Sequence, residues 1–133
     1  MEARERSVQY YQRRSGRSPF RDWRAGITDG NLKGAVDARI ARVRSGNFGD
    51  SKSVGSGVLE SRIDFGPGYR IYYGMDGDDI ILLAAGDKST QSTDIQLARS
   101  FWEDYKRRMK QERTKKDAKE TRLQGGPSRR PKK

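Results

Sequence analysis

Apolar and polar positions alternate most clearly from Val58 to Tyr73, VLESRIDFGPGYRIYY. Leu59, Ser61, Ile63 and Phe65 alternate with Glu60, Arg62 and Asp64, the period-two pattern of a half-buried strand. Gly66-Pro67-Gly68 breaks the alternation where a hairpin has to turn. With Pro67 at the centre of that turn, Asp64 is expected opposite Arg70 and Arg62 opposite Tyr72. All four then share the face that Leu59 and Ile63 avoid.

The flanking patterns supply the remaining elements. SVQYYQ, Ser7 to Gln12, reads as a short first strand. Ser18-Pro19 marks a helix start, with serine as N-cap and proline in the first position, and Phe20, Trp23 and Ile27 follow as one apolar stripe. Asp29 or Asn31 opens a second helix lined by Leu32, Val36, Ile40 and Val43, which Gly46 is placed to end. Arg39, Arg42 and Arg44 fall off that stripe and read first as a solvated face. Asn47 to Gly57 reads as a glycine- and serine-rich loop, with Phe48 as a core plug. Asp76-Gly77 turns into DIILLAA, Asp79 to Ala85, apolar on both faces as in the middle of a covered sheet. Thr93 or Asp94 is the expected cap of a last helix carrying Ile95, Ala98, Phe101 or Trp102, and Tyr105. The order is β-α-α-β-β-β-α, an α+β domain with a small, twisted, mainly antiparallel sheet and helices packed on it.

Composition narrows the class. A chain of 133 residues fits one domain, here residues 1–105, followed by a tail. Without cysteine there is neither a disulfide framework nor a thiolate metal site, and without histidine the usual general base and commonest transition-metal ligand are missing. No cofactor or metal is expected. No apolar run reaches the ~20 residues that span a bilayer, and MEARERSVQYY lacks the core of a signal peptide, so a cytoplasmic protein without membrane contact is expected.

The net charge of +11 is concentrated at one end. Residues 106–133 carry 13 Lys or Arg against Glu112, Asp117 and Glu120, a net +10, which leaves +1 for the first 105. So few apolar residues cannot bury a core, and this tail is expected to be disordered or partly helical, with Gly125-Gly126-Pro127 ending any helix. Such a polycation binds RNA, DNA or a ribosome surface through counterion release with little sequence preference. Equally, it reads as a solubilising extension.

A sheet face with two arginines, two carboxylates and a phenol suits a phosphodiester, because guanidinium forks match phosphate oxygens and stay charged. The hairpin alone is explained as well by a solvated face with an Asp64–Arg70 ion pair worth a fraction of a kcal/mol. Three blocks in register change that weighting: RIARVRSGNFGD from Arg39, ESRIDFGPGYRIYY from Glu60 and GDKSTQSTDI from Gly86. In order and spacing they resemble the HigB-like addiction-module killer proteins of the RelE/ParE-type toxin superfamily of bacteria and phages. The resemblance covers roughly Val8 to Tyr105. It departs from the family pattern at the glycines from Gly30 to Gly34, at Ser61 where leucine is usual, and in the long basic tail.

The resemblance implies a RelE-like fold and a toxin paired with an antitoxin, most often a ribosome-associated mRNA endonuclease. The expected partners are a helix-turn-helix antitoxin, mRNA and the ribosome. The implied cleavage is metal-independent, with the ribose 2′-OH as internal nucleophile. Basic residues at the positions of Arg70 and Lys88 act in catalysis in the wider superfamily, and Arg62 joins them by strand face. Arg62, Arg70 and Lys88 would clamp the phosphate, with Glu60 or Asp64 as general base and Tyr72 stacking on a base or donating a proton. Lys52 in the preceding loop is counted with Tyr72 and Asp64 as substrate-binding. Gln91 and Asp94 read as structural. A gyrase-poisoning toxin that acts by binding, or a nucleic-acid-binding protein without toxicity, are the competing expectations.

Overall fold

The computed structural model describes residues 6–125. The element order is β1 (Ser7–Tyr10), α1 (Pro19–Ala25), α2 (Gly30–Arg44), β2 (Ser51–Ser53), β3 (Leu59–Ile63), β4 (Tyr69–Asp76), β5 (Asp79–Asp87) and α3 (Gln91–Gly125), with a 3-10 turn over Lys88–Thr90. The class is α+β, with a five-stranded sheet ordered β1-β5-β4-β3-β2. Among the described residues, the β1–β5 pairing is parallel and the β5–β4, β4–β3 and β3–β2 pairings are antiparallel.

Local chemistry explains the helix starts. Ser18 caps α1 by accepting from the Arg21 amide, with Pro19 in the first turn, and Asp29 caps α2 by accepting from the Asn31 and Leu32 amides. Gly46, at a φ of 96°, ends α2 in the left-handed region. Both helices cover one sheet face, where Phe20, Leu32, Val36 and Val43 meet Ile63, Ile71, Tyr73, Ile80 and Leu82. Full burial of a side chain such as Phe20 stabilises by roughly 1.5–3 kcal/mol. Phe48 packs partly buried against this core, with the Arg6 guanidinium 5.1 Å from its ring centre.

The opposite face is covered by the beginning of α3. Ala98, Phe101 and Trp102 are buried there, and Phe101 stacks on Tyr11 with ring centres 5.0 Å apart. Trp102 lies flat against the glycine at position 74: a Cβ there would stand 2.6 Å from the ring. The Arg99 guanidinium donates to the Val54 carbonyl and ties the β2–β3 loop to the helix.

Three expectations need correction. Ser51–Ser53, read as loop, is an edge strand paired with Leu59–Ser61; its polar residues give no alternation to read. The β3–β4 hairpin is shifted by one pair, so that Arg62 faces Arg70 and Glu60 faces Tyr72. Positive φ at Gly66 and Gly68 and the Gly68 N–H to Phe65 carbonyl bond place the turn one residue earlier than a proline-centred one, leaving Asp64 in the connection. The last helix starts at Gln91, before Thr93 and Asp94; Asp87 caps the preceding 3-10 turn through the Ser89 amide.

Of the two states expected for the tail, disordered or partly helical, its described part adopts the second. Residues 106–125 are helical, which follows from the absence of proline and glycine between Gln91 and Gly125. Two compact units divide at Trp102/Glu103. In the second unit Asp104 accepts from Arg108 at 2.8 Å and Glu103 lies 3.4 Å from Lys106, pairs that each support a helix by a few tenths of a kcal/mol. The expected stop at Gly125-Gly126-Pro127 falls at the limit of the described residues; residues 126–133 lie outside them.

One irregularity organises β5. Tyr72 pairs with Ala84 but Tyr73 pairs with Leu82, so Leu83 is an extra residue. At such a bulge the strand changes which parity faces which side. Ile80 and Leu82 therefore join the α1/α2 core, whereas Ala84 and Gly86 lie on the face of Tyr72 and Arg70.

Candidate functional site

Register brings the charged residues into neighbouring rows on one face. Lys52 of β2 pairs with Glu60 of β3, which pairs with Tyr72 of β4. Beside that row, Arg62 pairs with Arg70, which pairs with Gly86 of β5. Directly paired residues point the same way, so the two arginines share a face, as the strand parity requires. Lys88 follows at the end of β5.

A cleft of about 510 Å³ opens over this face. Lys52, Arg62, Arg70 and Lys88 line it, with Asp50, Asp64 and the Gly66-Pro67-Gly68 turn. Four cations against two carboxylates leave an excess of positive charge around one concave surface. Asp50 is further drawn off by Arg39, at 3.2 Å. Lys52, Arg62, Asp64 and Lys88 are exposed, whereas Arg70 is buried.

Glu60 and Tyr72 sit elsewhere than expected. Both are fully buried beneath the face, where a general base or a stacking group would have to be open to the substrate. Glu60 Oε2 accepts from the Tyr72 hydroxyl at 3.0 Å and from Gln91 Nε2 at 2.8 Å. Arg70 Nε lies 3.9 Å from the same oxygen, and Lys52 Nζ lies 3.9 Å from Oε1. Burial and the neighbouring Glu60 carboxylate push the Tyr72 phenol well above its ordinary range, so it remains a protonated donor to Glu60. Stacking on a nucleobase is closed to it in this arrangement.

The start of α3 borders the same site. Gln91 is its first residue, and Asp94 Oδ2 accepts from the Thr90 hydroxyl at 2.6 Å. Burial raises the Asp94 carboxyl above the usual range, against the Thr90 bond. Gly86 leaves no room for a side chain, since a Cβ would run into Asp94 and stand 2.7 Å from Thr90 Oγ1. Glycine is needed there for close approach of strand and helix, beyond any relief of a turn. Sequence reasoning missed Asp50 on the cleft wall and the bond from Gln91 to Glu60. Neither residue carries a local signal, because both contacts are made by the tertiary fold.

Comparison with known proteins gives one informative relative. No family model matches the chain and no solved structure matches it. A protein of Haemophilus influenzae, described as an uncharacterized protein, is 47% identical over 81 residues, covering 60% of this chain and 82% of the relative. The chain belongs to the same family as that protein. Among the described residues, no helix is long and apolar enough to cross a membrane.

Proposed function

We propose that the chain is the toxin of a toxin–antitoxin pair, of the HigB-like type, and that it cleaves mRNA in the cleft over β3 and β4. The observation that carries this reading is the direct pairing of Arg62 with Arg70, with Lys52 and Lys88 on the same cleft. Two guanidiniums in register are spaced to meet the oxygens of one phosphate or of adjacent ones.

In this reading the ribose 2′-oxygen attacks the adjacent phosphorus, and the bond from phosphorus to the 5′-oxygen breaks. The products are a 2′,3′-cyclic phosphate and a 5′-hydroxyl. Arg62 and Arg70 stabilise the charge that builds on the phosphorane oxygens. Asp64, the exposed carboxylate beside Arg62, takes the 2′-hydroxyl proton, and Lys88 supplies one to the leaving oxygen. The ribosome holds the mRNA in line and lowers what the protein must contribute. A helix-turn-helix antitoxin silences it.

One observation favours a second reading, a toxin that acts by binding: Glu60 and Tyr72 are buried, which leaves Asp50 and Asp64 as the carboxylates on the cleft. Induced expression in a bacterial host, with mapping of mRNA 5′ ends, separates the two. Cleavage requires growth arrest together with new 5′ ends, and Arg62→Ala should slow cleavage by roughly 10²-fold. Arg62 is exposed, so its loss leaves the fold intact. Arrest with intact mRNA overturns the nuclease reading in favour of binding, and normal growth overturns both.

A further inference from the structure

Glu60 is a costly residue for this sheet. Its side chain is 0% exposed and that of its neighbour Arg70 is 10% exposed. Burying a carboxylate is unfavourable unless charges and hydrogen bonds compensate it. Here Tyr72 and Gln91 both donate to Oε2, Arg70 Nε stands 3.9 Å from it, and Lys52 Nζ stands 3.9 Å from Oε1. Among the described residues, neither Glu60 Oε1 nor Arg70 Nε has a hydrogen-bond partner. A buried pair that is only partly satisfied is weak as a stabilising device, and its place directly below the cleft calls for another account.

The geometry points to Glu60 as a positioning residue for Arg70, acting on the anion bound in the cleft. This rests on the RNA reading given above. Arg70 presents its Nε edge to the carboxylate. Its Nη1 lies beside Gly68, 3.7 Å from where a Cβ would be, at the turn that lines the cleft. The guanidinium is thus gripped from below by charge while its fork is turned to the ligand. Across the strands, Gly86 has no side chain to contend with Arg70. Tyr72 and Gln91 fix the carboxylate, and Gln91 makes the start of α3 part of the arrangement. Glu60 is therefore not the general base: an anionic substrate on the arginines is separated from it by Arg70 itself. Its ligand class is a phosphodiester held by a pre-oriented fork, whose orientation is set before binding.

The test is a double-mutant cycle on binding, which needs no turnover. A short 2′-O-methyl oligoribonucleotide, which lacks the nucleophile, is titrated against wild type, Glu60→Gln, Arg70→Lys and the double variant. Loss of the grip should weaken binding about tenfold in Glu60→Gln, the worth of one charge-assisted contact. The same change should cost nothing more in the Arg70→Lys background, whose ammonium has no fork to orient. A second readout is hydrogen exchange at the Arg70 Nε–H, which should quicken in Glu60→Gln. If Glu60→Gln does not fold, Gln91→Ala removes one donor from the carboxylate and should show the same two effects in smaller measure. Equal losses in both arginine backgrounds, or no loss in either, overturn the positioning role. If Arg62→Ala and Arg70→Lys also bind as wild type does, the RNA reading itself is removed and this inference with it. Weakened binding in those two with an unaffected Glu60→Gln removes the inference alone.

Discussion

Substituting Gly74 by alanine probes how the first turns of α3 are seated on the sheet. Gly74 lies in β4 outside the left-handed φ region, so alanine adds no backbone strain and the effect is steric. The new Cβ would stand 2.6 Å from Trp102 Cε3 and 2.7 Å from Cδ2 and Cζ3, where carbon atoms rest at about 3.5–4.0 Å. The ring must withdraw by about 1 Å. It is 5% exposed, and its Nε1 abuts Gly57, 2.8 Å from where a Cβ would be there. Overpacking of this kind costs about 1–3 kcal/mol. Exchanging glycine for alanine inside a strand returns about 0.5–1 kcal/mol of that. The expected net loss is about 1–2 kcal/mol, a fall of about 0.5–1 M in the urea midpoint for a slope near 2 kcal/mol/M. Urea unfolding followed by tryptophan fluorescence reads both the midpoint and the change around Trp102. An unchanged or raised midpoint would refute the packing of Trp102 on Gly74, and with it the seat of α3.

Three further outcomes follow from other parts of the chain. Gly34 sits inside α2 with nothing within 4 Å of a Cβ, so Gly34→Ala should stabilise by about 0.5–1 kcal/mol in the same unfolding assay. The Arg24 guanidinium donates to Asp37 at 2.8 and 2.7 Å and holds its carboxyl below the ordinary value of 3.8. A depressed folded-state value means that this stabilisation is present above the unfolded value and is lost as pH falls through the folded one. Arg24→Gln should therefore cost less than about 1 kcal/mol at neutral pH, since both side chains are partly exposed, and that cost should vanish in acid once Asp37 is protonated in the folded state. Deleting residues 110–133 should flatten the salt dependence of RNA binding and leave the cleavage pattern unchanged, as read by titration at several ionic strengths and by 5′-end mapping.

Much of the fold could be read from the chain because its local signals agree with the tertiary structure. Ser18-Pro19, Asp29 and Gly46 mark helix boundaries by chemistry that needs no partner. Ser51–Ser53 is a strand only because β3 lies beside it, so no window centred on it could reveal it. The hairpin register differs from the sequence pattern by one pair because Gly66 and Gly68 both admit positive φ, and proline alone does not choose the centre. Parity is the same in both registers, so Arg62 and Arg70 share one face in either. The depth of Glu60 and Tyr72 was not readable, since it depends on Gln91 arriving from 31 residues away. Nor could composition tell a disordered tail from a helical one, because Lys, Arg, Glu and Gln suit a solvated helix as well as a coil.

The bulge at Leu83 reverses the parity of β5. Before it the even-numbered Ile80 and Leu82 answer to Phe20, Val36 and the rest of the α1/α2 layer; after it the even-numbered Ala84 and Gly86 answer to Arg70, Tyr72 and the start of α3, while Ala85 takes the core side. A substitution at Ala84 or Gly86 therefore alters the ground beneath the cleft without disturbing the main core, and one at Ile80 or Leu82 does the reverse. Stability and site chemistry can drift separately within a single strand according to the side each residue faces, and the extra residue sets where that alternation reverses.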